Sequence, residues 1–442
     1  MICAASAAFF AGVAARAQAP ARYVFETGDW LVYERREVSS HGPGGERNGP
    51  AITDQIQIWV LSRSGDSSLI LLDRIRLVEK DARPARGVVA NVDARGLLSI
   101  APEYQPHVTE LSEAFELFPI LRPATEASTN WTAEADIFGE RYAYEERGAD
   151  AANPDLLLLD CSHASAPGMR ADSFSGAIWL DTRTGRLSRR ETNITSHDGE
   201  SRRTITLRLR HAVRNELRWT QQRLSESVRF ALALQQQDAQ LAEVTTGRVD
   251  WETVRPRLTR LWEGCVADIP REAKSPFRVL AGAAREWLDR DAAMHARRGA
   301  YAREALNKKP APWTLLDPSG QPVRSDDLAD RWRIEFIWRE RDALSRSALH
   351  GLNALPVAGA SRWSDPPFRV VSLNVDPMFL PSREFISASP AISHHLLAEP
   401  LARVDALPEL PLIRLVDREG VVKAIWFGWH PWRGAEILRA IP

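Results

Sequence analysis

Cysteine is scarce in this chain of 442 residues, which has only Cys3, Cys161 and Cys265. A small disulfide-stabilised scaffold is excluded, because such folds need a dense cysteine framework. No cysteine follows Cys265. Because disulfide exchange begins with attack by a thiolate on sulfur, the C-terminal part of the chain cannot perform it with its own residues.

The chain also lacks an excess of charge of either sign. It has 57 Lys and Arg residues against 58 Asp and Glu residues, which gives a formal net charge of −1. Binding to nucleic acid or to an acidic membrane surface is favoured by a basic excess, so neither partner is expected.

Long apolar runs are absent beyond the N-terminus. Residues 1–19 combine an apolar run from Ile2 to Ala15 with Ala17 and Ala19, the A-x-A spacing of a secretory cleavage site. No Lys or Arg precedes this run, so an uncleaved anchor or an upstream start stays open. We predict a signal peptide at 1–19, export to the periplasm or cell envelope, and no later transmembrane segment.

Catalytic and metal-binding motifs are missing as well. No glycine-rich phosphate loop, G-x-S-x-G elbow or H-E-x-x-H pair occurs. His394–His395 and Cys161–His163 lack the spacing of three or four zinc ligands. We therefore expect neither a metal nor a cofactor.

Loss of residues 1–19 would remove Cys3 and leave two thiols. In an oxidising compartment Cys161 and Cys265 can form a disulfide between the first part of the chain and the segment that follows it. Two separate buried thiols are the alternative, and the sequence does not decide between them.

Alternating apolar and polar residues dominate residues 20–216. The segment QIQIWVLSR at 55–63 alternates with period two, and Asp181 and Gly185 bracket a hairpin turn. We predict an antiparallel β domain, a curved sheet or half-barrel. It is similar to the β-domains of envelope lipoprotein carriers, although no residue motif makes this match specific, and such a domain can carry an apolar ligand.

Helical spacing replaces this alternation in residues 217–309. Apolar residues in PFRVLAGAAREWLDRD, 276–291, recur every three or four positions. We predict a helical connector in which Trp262 and Trp287 are core residues, because aromatic residues on an apolar helix face usually pack against a neighbouring element.

Residues 310–442 have a mixed α/β pattern: a short hairpin, a strand, a helix, a strand, a helix, two strands and a helix. The motifs are APWTLLDPSG at 311–320, VVSLNVD at 370–376, the block from Pro411 to Val421, and Gly428. In order and spacing they resemble the thioredoxin-like redoxins of the bacterial envelope, of the TlpA and AhpC/TSA type. The resemblance implies a thioredoxin-like α/β domain at 310–442.

The chain departs from this family at the catalytic turn. Placing Trp338 on the family's Phe-Trp pair assigns the two cysteine positions to Asp342 and Ser345. A carboxylate or hydroxyl cannot form a mixed disulfide. We instead expect Asp342 to cap the helix that follows, at a gain of about 1 kcal/mol.

A second register gives the same result. Placing Glu335 on the buried carboxylate of thioredoxins moves the cysteine positions to Arg341 and Leu344. Neither register contains sulfur, so the resemblance implies a redox-inactive domain.

The family's cis-proline would correspond to Pro411. A groove between the Asp342 turn and Leu410–Pro411 could then bind an extended peptide or an envelope protein by backbone pairing. The alternative is a trans proline at the start of a strand, the general preference of X-Pro bonds.

The segment WFGWHPWRG contains a second candidate site, a binding loop formed by Trp426, Trp429, His430 and Trp432. Tryptophan is enriched at binding hot spots. The alternative is a contact between domains or a local core, which is the commoner fate of an apolar patch.

Together these patterns predict an exported binding or scaffold protein with a redox-inactive thioredoxin-like domain. The alternative is a thiol-disulfide oxidoreductase or a peroxiredoxin-like enzyme that brings Cys161 or Cys265 to the turn from another domain.

Overall fold

The structure is a computed structural model, and it describes most of the chain after residue 21. The described residues are 22–41, 47–76, 86–111, 114, 116–123, 128–133, 142–163, 173–195, 201–340, 342–360, 362–377, 386–387, 389–399, 401 and 407–442. The predicted signal peptide, Cys3 and Arg341 lie outside them.

The first half of the described chain forms β-strands. They are β1 (Asp29–His41), β2 (Arg47–Asn48), β3 (Ile52–Ser64), β4 (Ser67–Arg76), β5 (Arg86–Asp93), β6 (Leu98–Ile100), β7 (Asn130–Ala133), β8 (Tyr142–Ala149), β9 (Leu156–His163), β10 (Ser173–Asp181), β11 (Leu187–Thr195) and β12 (Ser201–Arg214). Eleven strands pair in the order β6-β5-β4-β3-β1-β12-β11-β10-β9-β8-β7, and β2 pairs with β1. The predicted antiparallel sheet is confirmed.

The β10–β11 hairpin illustrates why the local sequence forms these strands. The Asp181 carboxylate accepts the backbone N–H groups of Arg183 and Thr184 at 3.0 and 2.9 Å. Gly185 has φ +65°, a left-handed conformation that glycine adopts without a steric penalty. The turn residues therefore fix the strand register.

Four helices follow the sheet. They are α1 (Leu217–Thr245), α2 (Trp251–Val266), α3 (Pro276–Arg290) and α4 (Ala292–Ala305). Phe230 of α1, Trp262 of α2 and Phe277 of α3 share one hydrophobic core with the residues of the sheet. The helical segment is thus packed against the β-strands, and the sheet and helices form one unit, here called the N-terminal unit.

A stack of tryptophans joins helix α1 to the sheet. The Trp59 ring lies 4.7 Å from that of Trp30 and 5.4 Å from that of Trp219, and Trp59 Nε1 donates to Asp73 Oδ2 at 3.1 Å. Asp73 is only 4% exposed. Because burial disfavours the charged carboxylate, it raises the pKa of Asp73 to about 7.

The last part of the chain, here called the C-terminal unit, contains a second sheet. Its elements are β13 (Thr314–Leu316), β14 (Pro322–Arg324), β15 (Trp332–Trp338), α5 (Ala343–Asn353), α6 (Leu355–Gly359), β16 (Phe368–Asn374), β17 (Ile392–Leu397), β18 (Leu412–Val416), β19 (Val422–Phe427) and α7 (Arg433–Ala440). The strand order is β14-β13-β17-β16-β15-β18-β19. Strands β15, β16 and β17 are parallel, and the other pairs are antiparallel.

The sequence pattern did not indicate strand β17. It pairs with β16 along one side and with β13 at a single position, Leu316 with Leu397. Its sequence ISHHLL carries two histidines and is short, so its periodicity is weak. The sheet is packed on both faces, with Phe336 and Trp338 of β15 in one core and Ile337 in the other.

A charged group lies at the centre of this sheet. Glu335 is completely buried and accepts Arg333 Nε at 2.8 Å on one oxygen and Arg414 Nε at 2.9 Å on the other. Arg333 also donates to the Ser325 carbonyl at 2.9 Å, and Arg414 to the Tyr301 hydroxyl of helix α4 at 3.2 Å. The network links β15, β18, the segment after β14 and α4.

Replacement of Glu335 by Gln should destabilise the protein by about 3–5 kcal/mol, because it leaves two buried guanidinium groups without a counter-charge. Arg331→Ala is the control, since it breaks an ion pair with the largely exposed Asp365 and should cost less than about 1 kcal/mol. Urea unfolding followed by circular dichroism measures both. Equal losses of unfolding free energy in the two variants would show that the buried network stabilises the protein no more than the surface ion pair does.

Asp73 should make stability depend on pH. Its ordinary pKa is 3.8, so between about pH 4 and pH 7 the folded state holds a proton that the unfolded state has released. The free energy of unfolding therefore falls as pH rises through this window. In Asp73→Asn that fall should be smaller by about 4 kcal/mol, while the acceptor for Trp59 is kept. Urea titrations at several pH values measure this. If the free energy of unfolding depends on pH in the same way in both proteins, the raised pKa of Asp73 is contradicted.

Candidate functional site

The turn after β15 is closed by its own side chains. Asp342 Oδ2 accepts both the backbone N–H of Ser345 at 2.8 Å and its hydroxyl at 2.6 Å. Ser345 is completely buried, and Asp342 is half-buried. The carboxylate thus satisfies an unpaired N–H group at the start of α5, which is the function of an N-cap residue.

Neighbouring strands hold this turn in place. Trp338 is fully buried and donates its indole N–H to Ser372 Oγ at 2.7 Å. The Glu340 backbone N–H donates to the Asp376 carboxylate at 2.6 Å, and that of Val375 to the Trp338 carbonyl at 3.0 Å. The ends of β15 and β16 are therefore tied together beside the cap.

The segment before β18 contains the second predicted position. The peptide bond between Leu410 and Pro411 is cis. Pro411 is buried, Leu410 is half-buried, and the Pro411 carbonyl accepts the backbone N–H of Gly428 at 2.8 Å. The segments 409–411 and 428–433, which we call the Pro411 edge, thus lie side by side.

The four residues of the predicted binding loop have different surroundings. Trp429 is buried over Gly351 of helix α5, and Trp426 packs against the same core of the C-terminal unit. Trp432 instead packs against the core of the N-terminal unit. The tryptophans therefore do not form one continuous surface, and two of the three belong to the local core.

His430 is buried between charged groups. It is 3% exposed, and its Nε2 lies 3.4 Å from Glu436 Oε1. Burial lowers the pKa of His430, against the opposite effect of Glu436, and the nearby Arg433 and His107 add to the lowering. The lowered pKa favours the neutral form of the imidazole.

Cys161 and Cys265 are both free thiols. Each is buried in the core of the N-terminal unit, Cys161 on β9 and Cys265 on α2. Burial raises the pKa of both, and that of Cys265 to about 11. The thiolate form needed for nucleophilic attack is thus disfavoured at both positions.

Among the described residues, no three His, Cys, Asp or Glu side chains are arranged to hold a metal ion. Within the same residues, no helix is both long enough and apolar enough to cross a bilayer.

At the Pro411 edge the structure brings together two residues that the sequence analysis did not select. Glu409 lies 3.6 Å from the Cβ position of Gly428, and Arg298 of helix α4 donates to its carboxylate at 2.6 Å. No sequence pattern distinguishes these two residues, because a quarter of the chain is charged. Their partnership depends on how α4 packs against β19.

Comparison with known proteins gives matches among solved structures alone. No protein-family model matches the chain, and no curated protein matches it. The thioredoxin domain of a thiol-disulfide oxidoreductase from Bacteroides vulgatus is 16% identical, with a TM-score of 0.27, over 31% of this chain and 99% of that one.

Two other solved structures give the same extent of similarity. StoA from Bacillus subtilis is 13% identical, with a TM-score of 0.24, over 30% of this chain and 96% of that one. ScoI from Arabidopsis thaliana, with copper bound, is 14% identical, with a TM-score of 0.25, over 30% and 98%.

Gly351→Ala should loosen the contact between helix α5 and Trp429, because the added Cβ would lie 2.1 Å from Trp429 Cζ2. We expect a loss of about 1–3 kcal/mol, as for other overpacked cores. Gly282→Ala in α3 is the matched control, since nothing lies within 4 Å of its Cβ position. That variant should gain up to about 1 kcal/mol from helix propensity. A similar gain for Gly351→Ala in thermal unfolding would mean that the contact is absent.

Proposed function

We propose that this is an exported cell-envelope protein in which a redox-inactive thioredoxin-like unit, residues 310–442, has a binding or scaffold role. The predicted signal peptide at 1–19 supports export. The proposal keeps the bounds 20–216 for the β-rich segment, 217–309 for the helical segment and 310–442 for this unit, with the first two sharing one core. The binding partner is an extended peptide or an envelope protein that pairs with the Pro411 edge.

The observation that carries the proposal is the hydrogen bonding between Asp342 and Ser345. At the two positions that the resemblance assigns to cysteines, a carboxylate accepts the N–H and O–H groups of a buried serine. Neither side chain can attack a disulfide or form a mixed disulfide. The turn is therefore suited to begin a helix and unsuited to exchange electrons.

Two features around the turn match the architecture of the family that this unit resembles. Glu335, which one register places on the buried carboxylate of thioredoxins, is bound on both oxygens by Arg333 and Arg414. The peptide bond before Pro411 is cis, as at the corresponding proline of the family that this unit resembles. In the proposed protein the Pro411 edge remains for binding, while Asp342 and Ser345 occupy the catalytic positions and make structural hydrogen bonds.

The alternative, an enzyme that uses a cysteine of another domain, has less support. Cys161 and Cys265 both lie in the core of the N-terminal unit, and burial raises the pKa of each. Either thiol would have to leave that core before it reached Pro411. The burial of both therefore favours the redox-inactive proposal.

The protein from Pro20 onward should not accelerate the reduction of insulin disulfides by dithiothreitol. The physical reason is the absence of an accessible thiolate at the turn. Precipitation of the insulin B chain, followed by light scattering, should proceed at the uncatalysed rate. Turnover well above that rate would overturn the proposal.

A thiol titration tests the alternative, in which Cys161 or Cys265 acts as the catalytic thiol. With an aromatic disulfide reagent, Cys161 and Cys265 should not react in the native protein and both should react after denaturation in guanidinium. A thiol that reacts rapidly in the native state, and whose replacement by serine abolishes insulin reduction, would favour the enzyme instead.

A further inference from the structure

Helix α4 of the N-terminal unit contacts the Pro411 edge through an ion pair. Arg298 Nε donates to Glu409 Oε2 at 2.6 Å, and the two side chains are only 16% and 22% exposed. Glu409 directly precedes Leu410 and the cis bond. The ion pair therefore lies at the position where an extended peptide would approach this edge.

The same helix covers the end of the neighbouring strand. The Arg298 guanidinium lies 5.6 Å from the ring centre of Phe427, and the Tyr301 ring lies 6.2 Å from it at an interplanar angle of 77°. Phe427 pairs with Leu412, the residue after Pro411, and is 8% exposed. Side chains of α4 thus occupy the apolar surface next to the cis bond.

The other side of the Pro411 edge is also in contact with the N-terminal unit. Trp432 packs against the core of that unit, and His430 is 3% exposed. Beyond the edge, the Asn307 N–H donates to the Val422 carbonyl at 2.8 Å, and the Val422 N–H to the Lys308 carbonyl at 3.0 Å. The residues after α4 therefore pair with strand β19.

We propose that helix α4 is an autoinhibitory clasp, which closes the Pro411 edge to an extended peptide through the Arg298–Glu409 ion pair. This inference rests on the proposed function in assigning peptide binding to that edge. In the closed state the protein's own helix occupies the surface that a peptide strand needs. Binding then requires local separation of Arg298 from Glu409 and Phe427, while Tyr301 keeps its contacts.

The two contacts of α4 differ in a way that favours local opening. Tyr301 reaches the buried Arg414, whose partner Glu335 is completely enclosed by the sheet, so this contact anchors the helix. Arg298 lies one turn earlier and retains some access to water. Separation of Arg298 from Glu409 can therefore occur while the Tyr301 end of α4 stays attached.

Arg298→Glu is the variant that tests the clasp, because it places two carboxylates side by side and should open the edge. Hydrogen exchange should become at least about tenfold faster at the amides of Leu410, Leu412 and residues 428–430. The binding probe is the reduced, carboxymethylated B chain of insulin, which presents extended polypeptide without thiols. Fluorescence anisotropy should show binding about tenfold tighter or more, since an edge that is rarely open reduces the apparent affinity in proportion.

Two further variants serve as controls. Arg298→Glu combined with Glu409→Arg restores an ion pair of opposite polarity and should return exchange and binding towards the original values. Arg303→Ala, on the same helix, breaks a 2.7 Å ion pair with Asp250 of the N-terminal unit. It should change neither measurement at the Pro411 edge.

The outcomes separate the clasp from the proposed function. Faster exchange together with tighter binding supports both. Faster exchange without binding supports closure by α4 and removes peptide pairing from the proposed function. Equal exchange in Arg298→Glu and the unaltered protein overturns the clasp, and equal binding by the two proteins overturns it while leaving peptide pairing in place.

Discussion

The C-terminal unit depends on a buried carboxylate that is fully compensated. Glu335 would carry a large desolvation cost alone, but Arg333 and Arg414 each bind one of its oxygens. Arg333 extends the network to Ser325, and Arg414 extends it to Tyr301 of helix α4. A single charged group at the middle of the sheet therefore fixes two strands, the segment after the first hairpin, and the attachment of the N-terminal unit.

The sequence predicts those parts of the fold that depend on local patterns, namely the alternation of apolar residues and the positions of turn residues. The antiparallel strands follow from period-two alternation, and the β10–β11 turn follows from Asp181 and Gly185, whose roles are local. Strand β17 was missed because its six residues have no clear period. The common core of Phe230, Trp262, Phe277 and the sheet was also not predicted, because an apolar helix face does not specify which surface it will cover.

The candidate site was predicted through the resemblance more than through periodicity. The absence of cysteine after Cys265 is visible in the sequence alone, and the significance of Asp342 and Ser345 comes from their alignment. The surroundings of the Pro411 edge could not be predicted, because Arg298 and Glu409 are far apart in the chain and have no distinctive spacing. The tryptophans of one loop likewise look equivalent in sequence, although Trp429 covers Gly351 and Trp432 contacts the other unit.

The carboxylate at the start of α5 has a consequence for the environment in which the protein can work. A pair of thiols at this turn would switch between two covalent states as the surrounding glutathione or quinone pool changed. The hydrogen bonds from Ser345 to Asp342 contain no group that these oxidants or reductants convert. The local geometry of this turn is therefore the same under oxidising and reducing conditions.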